Sequence, residues 1–159
     1  SYTKARAAME VAISNQVTKV QVDWQGRAWT LESTEGTWRA ADGPSALDGS
    51  KVEAWLWKLR DATLLSFVDD SPTHLTPYGL DPPAGMIQIW TDTHAEPAQL
   101  LVGGIVEGET TRYGRLSGRP SIIELPALIT DLLATTPEVF VPTPSVQPAS
   151  PSPTQADTP

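Results

Sequence analysis

The segment Tyr78-Gly79-Leu80-Asp81-Pro82-Pro83 divides this chain into two stretches built on one plan, each a run of short alternating strands followed by an amphipathic helix. Gly79 accepts a positive φ, Pro82 biases Asp81 away from helical geometry, and the Asp81 carboxylate can accept hydrogen bonds from neighbouring backbone N–H groups. The segment therefore reads as a structural connector whose Tyr78 and Leu80 pack between the two units.

In the first unit Val20, Val22 and Trp24 alternate with Lys19, Gln21 and Asp23, the period of a half-buried strand. Gln25-Gly26 reads as a turn, Trp29 and Leu31 lie on a returning strand, and Glu35-Gly36 leads to Trp38 on a third, which makes an antiparallel meander. After Gly43-Pro44, Ser50 with Glu53 three residues on forms a capping box, with Asp48 as the competing cap. Val52, Trp55, Leu56 and Leu59 then mark the buried stripe of a helix, and Trp57 falls off it. Leu64 to Val68 is a short apolar strand. Upstream of all this, Ala5 to Ile13 reads as a short helix.

The second unit opens with Ile87 and Ile89, turns through a polar loop around Thr93 to Pro97, and returns along Leu100 to Val102. Arg112 to Leu116 and Ser121 to Leu125 flank a Ser117-Gly118 turn. Pro126 suits the first position of a helix whose apolar face is Leu125, Leu128, Ile129, Leu132 and Leu133. Val20-Gln21-Val22 thus corresponds to Ile87-Gln88-Ile89, and the Val52 helix to the Leu128 helix. Two sheet faces and two helix stripes predict an α+β fold, antiparallel strands with the two helices packed on them. The expected division is a lead-in over 1–16, an α+β domain over 17–136 (units 17–68 and 84–136, connector 69–83), and a tail over 137–159. That tail holds seven of the fifteen prolines and reads as disordered or polyproline-like.

A formal charge of −8 opposes binding to nucleic acid or to anionic lipid, both of which need clustered Lys and Arg. The absence of cysteine removes disulfides, thiolate catalysis and Cys-ligated metals. No apolar run is long enough to span a bilayer. The chain starts at Ser1 rather than at an initiator Met, which reads either as a processed protein or as a stretch given without its upstream segment, where a signal or anchor could have stood.

Catalytic chemistry finds little footing. His74 and His94 are the two histidines; Asp92 precedes His94, and Asp69 and Asp70 precede His74, without the spacing of a metal or hydrolase motif. There is no Gly-x-Ser-x-Gly elbow. Gly103-Gly104 and Gly108 lack the lysine and following helix of a phosphate loop, and Glu107 and Glu109 read as solvated loop residues. No catalytic, cofactor-binding or metal-ligating residue is therefore assigned. The candidates are interface residues: Arg112, Arg115 and Arg119, the local concentration of positive charge, with Tyr113 among them, and Trp57 and Trp90, which have no evident core address. The competing assignment places Trp90 over the second sheet face and Trp57 at the sheet edge.

Several of these pieces occur together in one family. Thr37-Trp38-Arg39, the Val52 to Leu59 helix, Tyr78-Gly79-Leu80-Asp81-Pro82, Leu101-Val102-Gly103-Gly104 and Arg112-Tyr113-Gly114-Arg115-Leu116 resemble the bacterial domain of unknown function 4340 family over Val17 to Leu133. The resemblance implies an extracytoplasmic or periplasmic protein, membrane-anchored through a segment absent from this chain, in the setting of transport or gliding systems. It carries no catalytic residues. The expected function is a non-catalytic interaction or scaffold module with membrane-associated protein partners and no cofactor. The alternative is a small-ligand or glycan-binding domain, and the enzyme version with most footing is a hydrolase using Asp92 and His94.

Overall fold

A computed structural model describes residues 16–43, 46–63, 67–69, 72–118 and 120–142. The meander forms as its turns dictate. β1 (Val17–Trp24) and β2 (Arg27–Thr34) are joined at Gln25-Gly26, and β2 joins β3 (Thr37–Ala40) at Glu35-Gly36. All four of these turn residues have positive φ, from 51° to 83°. That is the type I′ geometry, whose twist matches the flanking strands.

α1 (Gly49–Ala62) is capped by Asp48, whose carboxylate accepts the Ser50 N–H at 2.9 Å, so the cap is Asp48 and not Ser50. It buries Val52, Trp55, Leu56, Leu59 and Ala62. β4 (Phe67–Asp69) follows, and then a 3₁₀ turn over Thr76–Tyr78 that Gly79 ends at φ 68°. The second unit comprises β5 (Gly85–Thr91), β6 (His94–Ile105), β7 (Arg112–Leu116), β8 (Ile122–Leu125) and α2 (Leu128–Ala134).

The eight strands form one antiparallel sheet in the order β3-β2-β1-β5-β6-β7-β8-β4. At its centre β1 and β5 pair as Val20↔Ile89, Gln21↔Gln88 and Val22↔Ile87. The two segments that correspond in sequence are thus direct neighbours, related by a local two-fold at the Gln21–Gln88 pair. β4 leaves the first unit and pairs with β8 at the far edge of the second. Both helices lie on one face, where Val20, Val22, Leu31, Ile87, Leu100, Leu125, Ile129 and Leu133 are nearly or fully removed from solvent.

Three boundaries differ from expectation. The β5–β6 connection is a tight turn at Asp92-Thr93, and β6 begins at His94, because Thr91↔His94 still pair. Leu125 ends β8 and α2 begins at Leu128, with the Pro126 carbonyl accepting from the Ile129 N–H at 2.9 Å. The structured body also runs past 136: Pro137–Phe140 is a 3₁₀ turn, Phe140 is buried, and its carbonyl accepts the Asp48 N–H at 2.7 Å. The lead-in over Ala5 to Ile13, most of the Leu64 to Val68 stretch and the tail beyond Pro142 lie outside the described residues.

Candidate functional site

The face of the sheet turned away from the helices is a platform of cross-strand rows. Register places Arg39, Glu32, Lys19 and Trp90 in one row; Thr30, Gln21, Gln88 and Gln99 in the next; and Ala28, Asp23, Met86, Leu101 and Arg115 in the third. Alternation along each strand puts these side chains opposite the core. They are locally ordered: the Lys19 ammonium lies 4.7 Å from the Trp90 ring centroid, and the Gln99 amide donates to Gln88 Oε1 at 3.4 Å. The Arg39–Glu32 pair at 4.0 Å is solvent-exposed and contributes little to stability. The rows carry three cations and two carboxylates in a chain of net charge −8, so this surface is poorer in acid than the chain as a whole.

The connector lies on the same face, against β6 and β7 at one end of the strands. Tyr78 stands edge-on to Tyr113 with centroids 5.0 Å apart, and its hydroxyl donates to the Asp69 carboxylate at 2.8 Å. Gly103 leaves the room: a Cβ there would collide with the Tyr78 carbonyl oxygen and approach Leu80 Cγ to 3.0 Å. Gly79 repeats the fit from the other side, where a Cβ would lie 2.6 Å from the Gly104 nitrogen. Asp81 and Pro82 are exposed at the outer bend, joined by a cis peptide bond.

Donation to the Asp69 carboxylate, followed by desolvation, raises the Tyr78 phenol above its ordinary value of 10.0. A raised phenol means that the fold favours the protonated form. This contribution is complete below pH 10 and is lost as pH rises through the higher folded value. In an ultraviolet titration, Asp69→Asn should bring the Tyr78 ionisation back down towards 10.

The predicted interface residues do not form one patch. Arg112 and Arg115 are three residues apart in β7, an odd separation that sends them to opposite faces. Arg112 points to the helix side, where Nε donates to Thr130 Oγ1 at 3.0 Å, Nη1 donates to the Gly103 carbonyl at 2.9 Å, and the guanidinium stacks 5.0 Å from the Trp24 centroid. That is an internal latch between β6, β7 and α2, and it corrects the expected three-arginine cluster. Tyr113 lies under Tyr78. Arg115 does reach the platform, and its Nε is buried without a hydrogen-bond partner among the described residues. Arg119 lies outside them.

Trp90 lies half-buried on the platform, while Trp57 is 46% exposed on the outer side of α1, with the Arg60 guanidinium 4.2 Å from its ring centroid. The two tryptophans therefore belong to different surfaces. Asp92 is exposed in the β5–β6 turn, and no cluster of three metal-ligating side chains occurs among the described residues. No helix among them is long and apolar enough to cross a membrane.

Sequence reasoning missed a second feature, on the helix side. Trp29, Trp55 and Phe140 meet edge-to-face at centroid separations of 5.8, 6.0 and 6.5 Å. Beside them, between the β1–β2 hairpin and the Thr135–Glu138 stretch, is a hollow of about 340 Å³ floored by Val22, Trp24 and Leu133, with Arg27, Asp42 and Glu138 among its lining residues. The Glu138 carboxyl is held below the usual carboxylate range by a hydrogen bond from Thr136. The available signal was Phe140 itself, a large apolar residue within the proline-rich stretch.

One antiparallel sheet, covered by two helices on one face and bridged in part by a Tyr-Gly-Leu-Asp-Pro connector on the other, defines an α+β domain of two interleaved units. A family model described as Domain of unknown function (DUF4340) matches residues 38–151, and the chain belongs to that family. The match starts in β3 and ends beyond the described body, where the quoted motifs covered Val17 to Leu133. No curated protein and no solved structure matches the chain.

Proposed function

We propose that this chain is a non-catalytic interaction module acting outside the cytoplasm, part of a membrane-associated bacterial assembly that includes transport machinery. The observation that supports this reading is the open platform. Sheet faces in a two-layer fold are stable with one side in water, and the water-facing side needs only polar residues. This one instead carries Trp90, Met86 and Leu101 among cations, together with a buried Arg115 Nε that has no hydrogen-bond partner among the described residues, a composition closer to that of interfaces. Aromatic and Arg side chains supply most binding energy where they become fully desolvated.

Co-purification of tagged full-length protein from native membranes in mild detergent tests the reading. The wild type should retain stoichiometric companions, and Trp90→Ala combined with Arg115→Ala should lower their recovery by about tenfold or more. Equal recovery with a folded double variant would refute the platform as the docking surface.

The hollow beside Trp29 supports a second reading, a small-ligand or glycan site, since aromatic walls with carboxylate and guanidinium groups suit polyols. Tryptophan fluorescence that stays constant across a panel of saccharides would count against it.

A further inference from the structure

We infer that the platform pairs with a second copy of this chain, face to face, about a two-fold axis running along the Thr30–Gln21–Gln88–Gln99 row. The inference rests on the reading of the platform as an interaction surface and names its partner. The argument is self-complementarity about that row. On β1, Lys19 lies two residues to one side of Gln21 and Asp23 two residues to the other, on the same face. On β5, Trp90 and Met86 flank Gln88 in the same way.

A two-fold along the central row reverses strand direction while each strand keeps its place across the sheet. Lys19 then stands over Asp23 of the second copy, and Trp90 over Met86 of the second copy, each contact made twice, as an isologous interface requires. The first is a charge pair, the second a sulfur–aromatic contact. The glutamine amides of the axis row, each both donor and acceptor, face their own counterparts. An axis parallel to the strands between β1 and β5 would instead set Asp23 against Met86 of the second copy, leaving a carboxylate without a partner. Along β1, charge favours the first arrangement, in which Glu32 stands over Ala28 of the second copy and keeps Arg39 of its own chain as its partner.

The connector does not obstruct it. It rises over Gly103 and Tyr113, at one end of the strands. Reversal carries it to the opposite end of the strands, towards the β5–β6 turn of the second copy, so the two connectors stand at opposite ends. Sheets packed this way lie about 10 Å apart with strand directions within about 30°. A footprint about 20 Å by about 25 Å gives roughly 500 Å² per copy, at the low end for specific complexes, so the dimer should be weak and concentration-dependent.

Analytical ultracentrifugation of the intact chain over a wide concentration series decides the matter. The wild type should shift from one chain towards two. Lys19→Asp sets two carboxylates against each other at both ends, and Asp23→Lys sets two ammonium groups; each should weaken association by about tenfold or more. The combined Lys19→Asp and Asp23→Lys variant restores opposite charges and should return to within about threefold of the wild type. A far-UV spectrum like that of the wild type certifies each variant as folded. A monomer at every concentration, a dimer indifferent to the single swaps, or failure of the double swap to rescue would each overturn the proposed pairing. Loss of the dimer with retention of Trp90-dependent membrane companions would refute the second copy and leave the interaction reading standing. A rescued dimer without any such companion would do the reverse.

Discussion

Replacing Trp55 by Ala should destabilise the protein by about 3–5 kcal/mol. Trp55 is 5% exposed, its ring meets both Trp29 and Phe140 edge-to-face, and its indole N–H donates to the Leu132 carbonyl at 3.2 Å. Truncation opens a cavity at the junction of α1, β2 and the Pro137–Phe140 turn, and it leaves the α2 carbonyl without that donor. A domain of this size has a net stability of about 5–15 kcal/mol, so the loss is a large fraction of the whole. Urea unfolding should show a lower midpoint at unchanged slope. Trp55→Phe, which keeps most of the apolar volume and loses the N–H, should lose about half as much or less. A midpoint within error of the wild type in Trp55→Ala would mean that the three-ring cluster does not hold the C-terminal turn to the body.

The second large effect is expected at Gly103, and its neighbour supplies the control. Gly103→Val should cost about 2–4 kcal/mol, because the first side-chain carbon meets the Tyr78 carbonyl, a backbone atom that moves only with the whole connector. The Arg112 contact to the Gly103 carbonyl depends on the same stretch of β6, so the latch should loosen too. At Gly104 the nearest atom to an added Cβ is the same carbonyl oxygen at 3.9 Å, ordinary contact distance, and Gly104→Ala should stay within about 0.5 kcal/mol. Hydrogen exchange separates the two: protection at the Gly79 and Leu80 amides, which donate to Thr76 and Leu75, should fall in Gly103→Val and persist in Gly104→Ala. Equal stability of the two variants would show that the close approach of connector and sheet does not constrain the fold.

Much of the architecture was legible because each element is under local control. The Gln25-Gly26 and Glu35-Gly36 turns, the β1 alternation and the α1 stripe rest on positive φ, period two and period 3.6, all read within a few residues. Where a signal was weaker, a competing one prevailed. Pro126 suits a helix start, yet Leu125 is needed at the end of β8, so the helix begins later. The C-terminal turn was hidden by proline content, since one Phe among prolines gives no period, and its burial depends on Trp29 and Trp55 far away in sequence.

The candidate site was read less completely. Trp90 and Arg115 were singled out by residue type and do share the platform, but so do Lys19, Gln21, Asp23 and Met86, which look like ordinary strand positions in the linear chain. The separation of Arg112 from Arg115 was available from parity alone, because an odd step along a strand reverses the face.

By itself, then, the sequence determined that the chain is α+β with antiparallel strands and two helices, that a Tyr-Gly-Leu-Asp-Pro connector separates two strand–helix stretches, and which strand and helix positions with a clear period face the core. Those are properties of local period and turn chemistry. Tertiary structure alone decided that the units merge into one sheet through β1 and β5, that β4 crosses to the edge of β8, and that the connector lies on the second face against β6 and β7. Strand order and coverage depend on contacts between residues tens of positions apart. Local propensity is silent on them, because every antiparallel edge offers the same backbone hydrogen bonds, and only side-chain packing across the whole sheet chooses among them.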